Sequence, residues 1–275
     1  MKAKNIRVEK IETIDGFRQH AALQNLVWGN DPPDAVPLHF MIALSRSGGL
    51  VLGAYAESQM VGILLGVPAL RDGQLVHLSH LLGVHPAWRG QGVGEAIKWR
   101  QRELVLEMGI KTIVWTYDPL EAANARLNIG LLGGIVRTYH RNYYYDMEDA
   151  LNRGIPSDRF TVEWHLESPR VLEHLAGTAP DDDPQKLAAP LALGSEPGPD
   201  GTLRPGPLTM PDGDAARIEF TRQMQDLKRT RHDVAVAWRL ALREACEEAF
   251  RRGYTVTDVL RQDGHIYYYV EKSRT

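Results

Sequence analysis

The chain has 275 residues, of which 43% are hydrophobic and 24% are charged, and its formal net charge is −3 at pH 7. These values are typical of a globular protein with one large or two modest domains, and they give no indication of a nucleic-acid-binding surface. A single cysteine argues against a disulfide scaffold, and with no hydrophobic run of about 20 residues and no signal-peptide pattern we expect a cytoplasmic protein without a membrane or nucleic-acid partner.

Hydrophobic residues in the first part of the chain either alternate over short runs or recur every three to four residues, so both strands and helices are expected. Before residue 90 the pattern predicts a strand over 6–11, helices over 17–28 and 37–44, and strands over 50–57, 60–70 and 74–84. After residue 90 it predicts a central helix over 92–108, a strand over 111–117, a helix over 121–132, and strands over 135–145 and 160–166. The predicted buried stripe of the central helix is formed by Val93, Ile97, Leu104 and Met108.

The composition changes after residue 165. Pro, Gly and Asp are concentrated over 178–211, which is either a disordered tether or an ordered arm. Beyond it, the pattern predicts an amphipathic helix over 233–252 and strands over 254–260 and 265–271. This layout loosely repeats the one around Gly134, through either a degenerate second half-domain or coincidence. We therefore predict an N-terminal domain over 1–167, a linker or arm over 168–212 and a C-terminal extension over 213–275.

The most informative segment is the loop before the central helix, Arg89-Gly90-Gln91-Gly92-Val93-Gly94. Alternating glycines let a backbone approach a ligand closely and turn successive N–H groups towards it, and the helix start adds further free N–H groups. The loop therefore predicts a site for an anion such as pyrophosphate. The glycine spacing and the residues after Gly94 fit neither a Rossmann loop nor a Walker A loop. The alternative is a glycine turn that only caps the helix.

The motif Arg89-x-x-Gly92-x-Gly94, after a strand ending in Leu82-Gly83-Val84-His85-Pro86, resembles the coenzyme A loop of the GNAT N-acetyltransferase superfamily. The resemblance implies an α/β fold with a mixed, mostly antiparallel central sheet flanked by helices, to which this chain adds a C-terminal helix and β-hairpin. It also implies acetyl-CoA or another acyl-CoA as cosubstrate and no metal, with the pyrophosphate bound by Arg89, Gly90, Gln91, Gly92, Val93 and Gly94.

The same resemblance assigns roles to the strand before the loop. It implies that the Leu82 N–H faces the acyl carbonyl as a single oxyanion donor and that Val84 contacts the pantetheine amide. For Arg89 it implies pairing with phosphate oxygens, and the alternative is a solvated turn residue.

Acyl transfer to an amine requires a base, because an alkyl ammonium with a pKa near ~10 is not nucleophilic. His80 is the first candidate, since it lies two residues before Leu82 and some GNAT enzymes carry a histidine at this place. The alternative is a structural histidine hydrogen-bonded beneath the cleft. His77 has the opposite strand parity and is expected to face the other way unless a bulge intervenes. Glu163 is a lower-ranked candidate base.

In many GNAT enzymes a tyrosine in an Asn-x-x-Ala-x-x-x-Tyr helix protonates the departing thiolate. Aligned on Leu132-Gly133, this chain carries Ala122, Ala125 and Ile129 at the three positions, so the usual acid is missing. The thiolate of a thiol with a pKa near ~8.5 leaves unaided or through water.

Asn124 and Asn128 lie close to that pattern and are expected to hydrogen-bond the pantetheine arm or the sulfur, although an amide is not an acid. The remaining candidate acids are Tyr117 and the tyrosines over 139–145. Paired strands use such aromatic residues mostly for packing.

A further resemblance concerns the run NARLNIGLLGGIVRTY over 124–139, followed by Tyr143, Tyr144 and the run over 149–158, which is similar to a bacterial GNAT branch of about this length. Members of that branch carry the same linker and C-terminal helix, and some are associated with amino-acid N-acylation, including succinyl transfer. The resemblance implies a small amine or amino-acid acceptor, whose carboxylate would suit Arg137, Arg141 or Arg153.

We therefore expect an acyl-CoA-dependent N-acyltransferase in which the amine attacks the thioester directly in a ternary complex, and a homodimer. The alternative is a CoA-binding regulatory or scaffold protein that has lost catalysis, which the missing tyrosine and the C-terminal extension would explain. A nucleotide-hydrolysing enzyme ranks third, because the lysine and hydroxyl after the loop are absent.

Overall fold

The structure is a computed structural model that describes residues 5–29, 35–145, 154–180 and 182–272. It divides into two compact units, Met1–Trp115 with His165–Ser168, and Thr116–Trp164 with Pro169–Thr275. The division of the chain into domains at residues 167 and 212 stays a prediction.

The first unit is a sheet with helices on both faces. Its elements are β1 (Ile6–Lys10), α1 (Ile14–Trp28), α2 (Leu38–Arg46), β2 (Leu50–Ala56), β3 (Gln59–Arg71), β4 (Gln74–Val84), a short 3₁₀ helix (Pro86–Trp88), α3 (Val93–Glu107) and β5 (Thr112–Tyr117). The strand order is β1-β2-β3-β4-β5, and the boundary between the units falls within β5. Neighbouring strands are antiparallel except for β4 and β5, which are parallel.

Side-chain alternation along β3 assigns the two faces of this sheet. Ile63 and Leu65 pack in a buried cluster with residues of α1 and α2. Gly62 points to the other face, where a Cβ atom built on it would lie 2.7 Å from Cδ1 of Ile97 in α3. Helices α1 and α2 therefore cover one face of the sheet, and α3 covers the other.

The second unit is also a sheet with helices. Its elements are α4 (Ala122–Ala125), a π-helical turn (Arg126–Leu131), β6 (Ile135–His140), β7 (Arg159–His165), α5 (Pro169–Ala176), α6 (Pro184–Leu187), β8 (Leu191–Leu193), β9 (Ser195–Pro197), β10 (Leu203–Pro205), β11 (Ala215–Phe220), α7 (Met224–Thr230), α8 (His232–Arg251), β12 (Tyr254–Gln262) and β13 (His265–Lys272). The order β7-β6-β12-β13-β11-β8 is antiparallel except for β11 and β8, and β9 pairs with β10 separately.

Aromatic packing holds the centre of the second unit. The rings of Phe220 and Tyr268 stack with centroids 4.3 Å apart, and Phe160 meets Tyr268 edge-on at 5.3 Å. The buried carboxylate of Asp158 accepts two hydrogen bonds of 2.8 Å from Arg243 of α8. The hydrogen bonds from Arg243 tie α8 to the residue before β7 in its own unit.

The predicted fold class is confirmed: the sheets are mixed and mostly antiparallel, helices flank them, and α8 with the β12–β13 hairpin forms the expected C-terminal helix and hairpin. Most predicted bounds lie within three residues of the observed ones, and one strand is markedly shorter than expected. The strand predicted over 135–145 ends at His140, because Asn142 and Tyr145 adopt φ angles of 49° and 59°, which no strand contains. The segment over 178–211 carries α6 and β8 to β10, which are short elements with little periodicity.

Candidate functional site

The glycine loop has the left-handed backbone that its sequence predicts. Gly90 has a φ angle of 74° and Gly92 one of 85°, values that L-residues rarely adopt, while Gly94 already belongs to α3. Gly92 is the residue that precedes the helix, and its carbonyl accepts the first intrahelical hydrogen bond, from the Ala96 N–H at 3.0 Å. Val93 is buried at the first position of α3 and anchors the loop to the core of the first unit.

The backbone of this loop offers a row of hydrogen-bond donors. Within the described ranges, no side chain caps α3. The following residues donate no backbone hydrogen bond to another described residue: Gly90, Gln91, Gly92, Val93 and Gly94. Consecutive N–H groups around left-handed glycines at the positive end of a 15-residue helix form an anion-binding concavity.

Arg89 connects this loop to the end of β4. Its side chain is exposed, and its Nε donates to the Val84 carbonyl at 3.3 Å. Gln91 bends back in the same way, with Nε2 donating to the Ala87 carbonyl at 2.9 Å. The guanidinium therefore lies beside both the loop and the strand edge, where it is available to an anion.

The backbone pairing of β4 shows which of its N–H groups face away from β3. The His85 N–H donates to the Val61 carbonyl at 2.9 Å, so alternate residues before it also face β3. Because antiparallel pairing alternates, the N–H and carbonyl groups of Leu82 and Val84 face the opposite edge of the strand. The hydrogen bond from Arg89 to the Val84 carbonyl is on that edge, as this parity requires.

That edge of β4 is open over the second half of the strand. In the described residues the β4–β5 ladder comprises His77 opposite Ile113 and Leu78 opposite Val114, whereas β4 itself runs on to Val84. The N–H groups on this edge are those for which the resemblance predicts contact with an acyl–pantetheine arm, and that role stays a prediction.

A β-bulge lies where the edge opens. Leu65 is opposite Leu81 and Gly66 is opposite Ser79, so His80 is the extra residue in β4. The His80 side chain is exposed and makes no hydrogen bond to another described residue, which is not the environment of a structural histidine beneath the cleft.

Gly83, three residues after the bulge, lies on the face of β4 that α1 covers. Gly83 packs under Trp28, the last residue of α1: a Cβ atom on Gly83 would lie 2.9 Å from Cη2 of that indole. Trp28 itself is half exposed, so part of its ring forms the surface beside β4.

His77 faces α3, opposite to the face of α1 and α2. It is fully buried, and its Nδ1 lies 3.2 Å from Nε2 of Gln101. Burial and the nearby Lys98 amine lower the pKa of His77 to about 4, so the imidazole is neutral at pH 7.

Two polar residues of α3 were missed by the sequence analysis. Lys98 and Gln101 are buried within the stripe that also contains Ile97 and Leu104. Met108, which was expected in the stripe, is only partly buried. The spacing could have revealed Gln101, since it lies four residues after Ile97 and three before Leu104 on the same helical face.

The predicted asparagines belong to the second unit. Asn124 is exposed on α4, whereas Asn128 is buried in the π-helical turn, a rare conformation that often marks functional sites. Ile129, which the resemblance aligns with the tyrosine of the GNAT pattern, is completely buried. The roles of Asn124 and Asn128 towards a coenzyme stay predictions.

The candidate substitute acids are held by hydrogen bonds within the second unit. The Tyr117 hydroxyl lies 3.1 Å from that of Tyr268, and the Tyr139 hydroxyl donates to Asp158 at 2.7 Å. Burial raises the pKa of both Tyr117 and Tyr139, which makes each a weaker acid. The exposed tyrosines of the same group are Tyr143, Tyr144 and Tyr145.

The predicted charged candidates are paired with each other or with α8. Glu163 forms an ion pair with Arg137 at 2.8 Å, and Arg141 binds Glu247. Arg153 lies outside the described residues. Within the described ranges, no group of three or more His, Cys, Asp or Glu side chains is arranged to hold a metal ion.

Several solved structures that are similar to this chain are acetyltransferases. An N-acetyltransferase from Staphylococcus aureus has 13% identity and a TM-score of 0.48, over 60% of this chain and 100% of that one. An acetyltransferase of the GNAT family from Streptococcus pneumoniae has 13% identity and a TM-score of 0.48, over 58% and 98%. A Salmonella typhimurium structure with its cofactor acetyl-CoA has 17% identity and a TM-score of 0.47, over 59% and 95%.

Other comparisons return nothing. No protein-family model matches the chain, and no curated protein matches it. In the part of the chain that the structure describes, none of the helices has the length and apolar character that a membrane crossing requires.

Proposed function

We propose that this chain is a GNAT acyl-CoA-dependent N-acyltransferase that transfers an acetyl or succinyl group to the amine of a small molecule or amino acid. The observation that carries the proposal is that one unit joins a loop of five N–H groups, which bond to no other described residue, to an open strand edge. Arg89 connects the two through its hydrogen bond to the Val84 carbonyl. A diphosphate fits the loop, and an extended amide-containing arm fits the strand edge.

The strand edge supplies the groups that an acyl thioester needs. The Val84 N–H and carbonyl pair with a pantetheine amide, and the Leu82 N–H faces the carbonyl oxygen that becomes negative during attack. A single donor of this kind is worth ~3 kcal/mol in a site without water. The amine nitrogen bonds to the carbonyl carbon, and the carbon–sulfur bond then breaks to release the thiolate.

His80 takes the proton that the acceptor ammonium must lose before its nitrogen can attack the thioester. Its exposure at the bulge, two residues before Leu82, supports transfer directly or through one water. The thiolate leaves without a protein acid and gains its proton from water, because Ile129 occupies the position of the usual tyrosine. The half-exposed Trp28, which packs on Gly83 of the same strand, favours an acceptor with an apolar portion.

The test combines acetyl-CoA titration with release of free thiol over a panel of amines and acyl-CoAs. We expect His80→Ala to lower kcat roughly a hundredfold or more, with the Kd for acetyl-CoA within twofold of the unaltered protein. His39→Ala, an exposed histidine of α2, is the control and is expected to change neither quantity.

Each outcome decides between the candidate functions. Absence of acetyl-CoA binding would remove the proposal, and full activity of His80→Ala would remove the base assignment. Tight binding without turnover over the whole panel would support the alternative of a CoA-binding regulatory protein. The homodimer also stays a proposal, to be checked by sedimentation of the full chain.

A further inference from the structure

Helix α3 buries an amine against β4. Lys98 is 1% exposed, and its Nζ lies 3.2 Å from Oγ of Ser79 and 2.8 Å from Oε1 of Gln101. Ser79 also donates to Oε1 of Gln101 at 3.3 Å, and Nε2 of Gln101 reaches His77. We call these four residues, His77, Ser79, Lys98 and Gln101, the Lys98 cluster. Burying an amine disfavours folding unless its hydrogen bonds are satisfied, so the cluster calls for an explanation beyond packing.

The cluster lies where the two strands separate. Ser79 and Trp115 are the residues that directly follow the last paired residues, Leu78 and Val114. The Lys98 Nζ contacts both of them, since it lies 3.7 Å from the centre of the Trp115 ring as well as 3.2 Å from Ser79. A single amine thus contacts both strands at the first position where their ladder has ended.

The cluster also fixes the residue before the bulge. Ser79 is bonded to two side chains of α3, and His80 is the extra residue that follows it. A shift of one residue in a strand exchanges the N–H groups that face its two edges. Anchoring Ser79 therefore determines that the N–H groups of Leu82 and Val84, rather than those of their neighbours, face the open edge.

We propose that Lys98 is a positioning residue that keeps β4 and β5 apart beyond Leu78 and Val114 and thereby gives the acyl–pantetheine arm its place on β4. The inference rests on the proposed function, because it assumes that an acyl-CoA is the ligand of that edge. Lys98 does not touch the reacting atoms; it acts through Ser79 and Trp115. Burial lowers the pKa of Lys98 well below its usual value, and a neutral amine donates to Ser79 and Gln101 as a charged one does.

The experiment compares two ligands, acetyl-CoA and 3′-phospho-ADP, the nucleotide half of coenzyme A. The nucleotide half contacts only the glycine loop, whereas acetyl-CoA also needs the strand edge. We expect Lys98→Met to leave the Kd for 3′-phospho-ADP within twofold and to raise the Kd for acetyl-CoA about tenfold, which is ~1.4 kcal/mol. A general loss of stability would instead change the Kd values for both ligands alike.

Lys228→Met is the matched control, because Lys228 is a buried lysine of α7 in the second unit. We expect it to change neither Kd. If Lys98→Met fails to fold, Ser79→Ala tests the same contact, and we expect a smaller rise in the Kd for acetyl-CoA alone.

The outcomes separate this inference from the function on which it rests. Equal effects of a Lys98 or Ser79 variant on both ligands, or no effect, would overturn the positioning role. Equal affinity of the unaltered protein for the two ligands would overturn it too, since the strand edge would then contribute nothing. If the unaltered protein binds neither ligand, the proposed function itself is wrong and the inference falls with it.

Discussion

Arg89 is the residue at which the glycine loop and the strand edge meet. Its Nε holds the Val84 carbonyl at 3.3 Å, and the side chain is otherwise exposed. An arginine in this position can exchange a neutral carbonyl for a phosphate oxygen, which forms the stronger, charge-assisted hydrogen bond. The two interpretations of Arg89 from the sequence, phosphate ligand or solvated turn residue, therefore differ in a measurable way.

We expect Arg89→Ala to raise the Kd for acetyl-CoA roughly ten- to hundredfold, since a hydrogen bond to a charged group contributes ~1.5–3 kcal/mol. Arg89→Lys keeps the charge, so its Kd for acetyl-CoA should lie between those of Arg89→Ala and the unaltered protein. Arg46→Ala removes an exposed arginine from the end of α2 in the same unit and should bind as the unaltered protein does. An unchanged Kd in Arg89→Ala would identify Arg89 as a solvated turn residue. Titration calorimetry at fixed salt is the measurement.

The two histidines of β4 show how strongly position decides chemistry. His77 and His80 are three residues apart, yet one is fully buried with a pKa of about 4 and the other is exposed at a bulge. A buried neutral imidazole under α3 has no access to an acceptor amine. The exposed His80 side chain is reachable from solvent, which is why the proposed mechanism assigns it the role of base.

At the scale of elements, the start of α3 depends on the backbone conformation of Gly92. A φ angle of 85° is unfavourable for an L-residue by roughly 1–2 kcal/mol, so in Gly92→Ala the loop is either strained or shifted. We expect this variant to lose about 1 kcal/mol of unfolding free energy and to raise the Kd for acetyl-CoA roughly fivefold or more, as a displaced row of N–H groups fits a diphosphate less well.

Gly48→Ala is a suitable control for that variant. Gly48 has nearly the same φ angle, 86°, in the turn after α2, and a Cβ atom there would meet nothing within 4 Å. Gly48→Ala should lose a similar unfolding free energy in urea titrations, and its Kd for acetyl-CoA should equal that of the unaltered protein. Equal affinity of both variants would show that the loop conformation does not matter for the ligand.

Most long elements could be predicted because their signals are local. The strand over 74–84 coincides with β4, and the helix over 92–108 differs from α3 by one residue at each end. The strands β8, β9 and β10 have three residues each, too few for a period of two to be visible. The π-helical turn was predicted as ordinary helix because its hydrophobic spacing is nearly the same.

The candidate site likewise has a local part, which could be predicted from the sequence, and a part that depends on distant residues. The loop over 89–94 is encoded in adjacent residues, so its glycine pattern identified it directly. The end of the β4–β5 ladder and the bulge at His80 depend on pairing between residues far apart in sequence, such as Gly66 with Ser79. The burial of Lys98 could not be predicted for a related reason. A lysine on a helix is usually exposed, and only the tertiary structure shows that this one is buried.

At the scale of the whole molecule, buried histidines make folding sensitive to acid. His20 and His77 are both fully buried, and burial lowers the pKa of each from 6.5 to about 4, with Lys98 adding to the effect at His77. Between these values the unfolded chain binds more protons than the folded one. The free energy of unfolding therefore falls as the pH drops from about 6.5 to about 4, and each histidine accounts for ~2 kcal/mol of that fall at pH 5.

Urea unfolding at pH 7 and pH 5 tests this expectation. His20→Leu and His77→Leu should each reduce the difference between the two pH values by ~2 kcal/mol, whatever their effect at pH 7 alone. His39→Leu, at an exposed position, should leave the difference as it is. A difference that survives in both buried variants would assign the acid sensitivity to other groups.

The extra residue in β4 has a consequence for how the architecture tolerates changes in chain length. With His80 omitted, Ser79 would precede Leu81 directly, and every other side chain of the strand would keep the face that it has now. The sheet thus has no use of its own for this position: a version shorter by one amino acid would alternate without interruption. Bulges are over-represented next to active sites, where they re-aim a side chain, and this one carries the histidine that the proposed mechanism uses as its base.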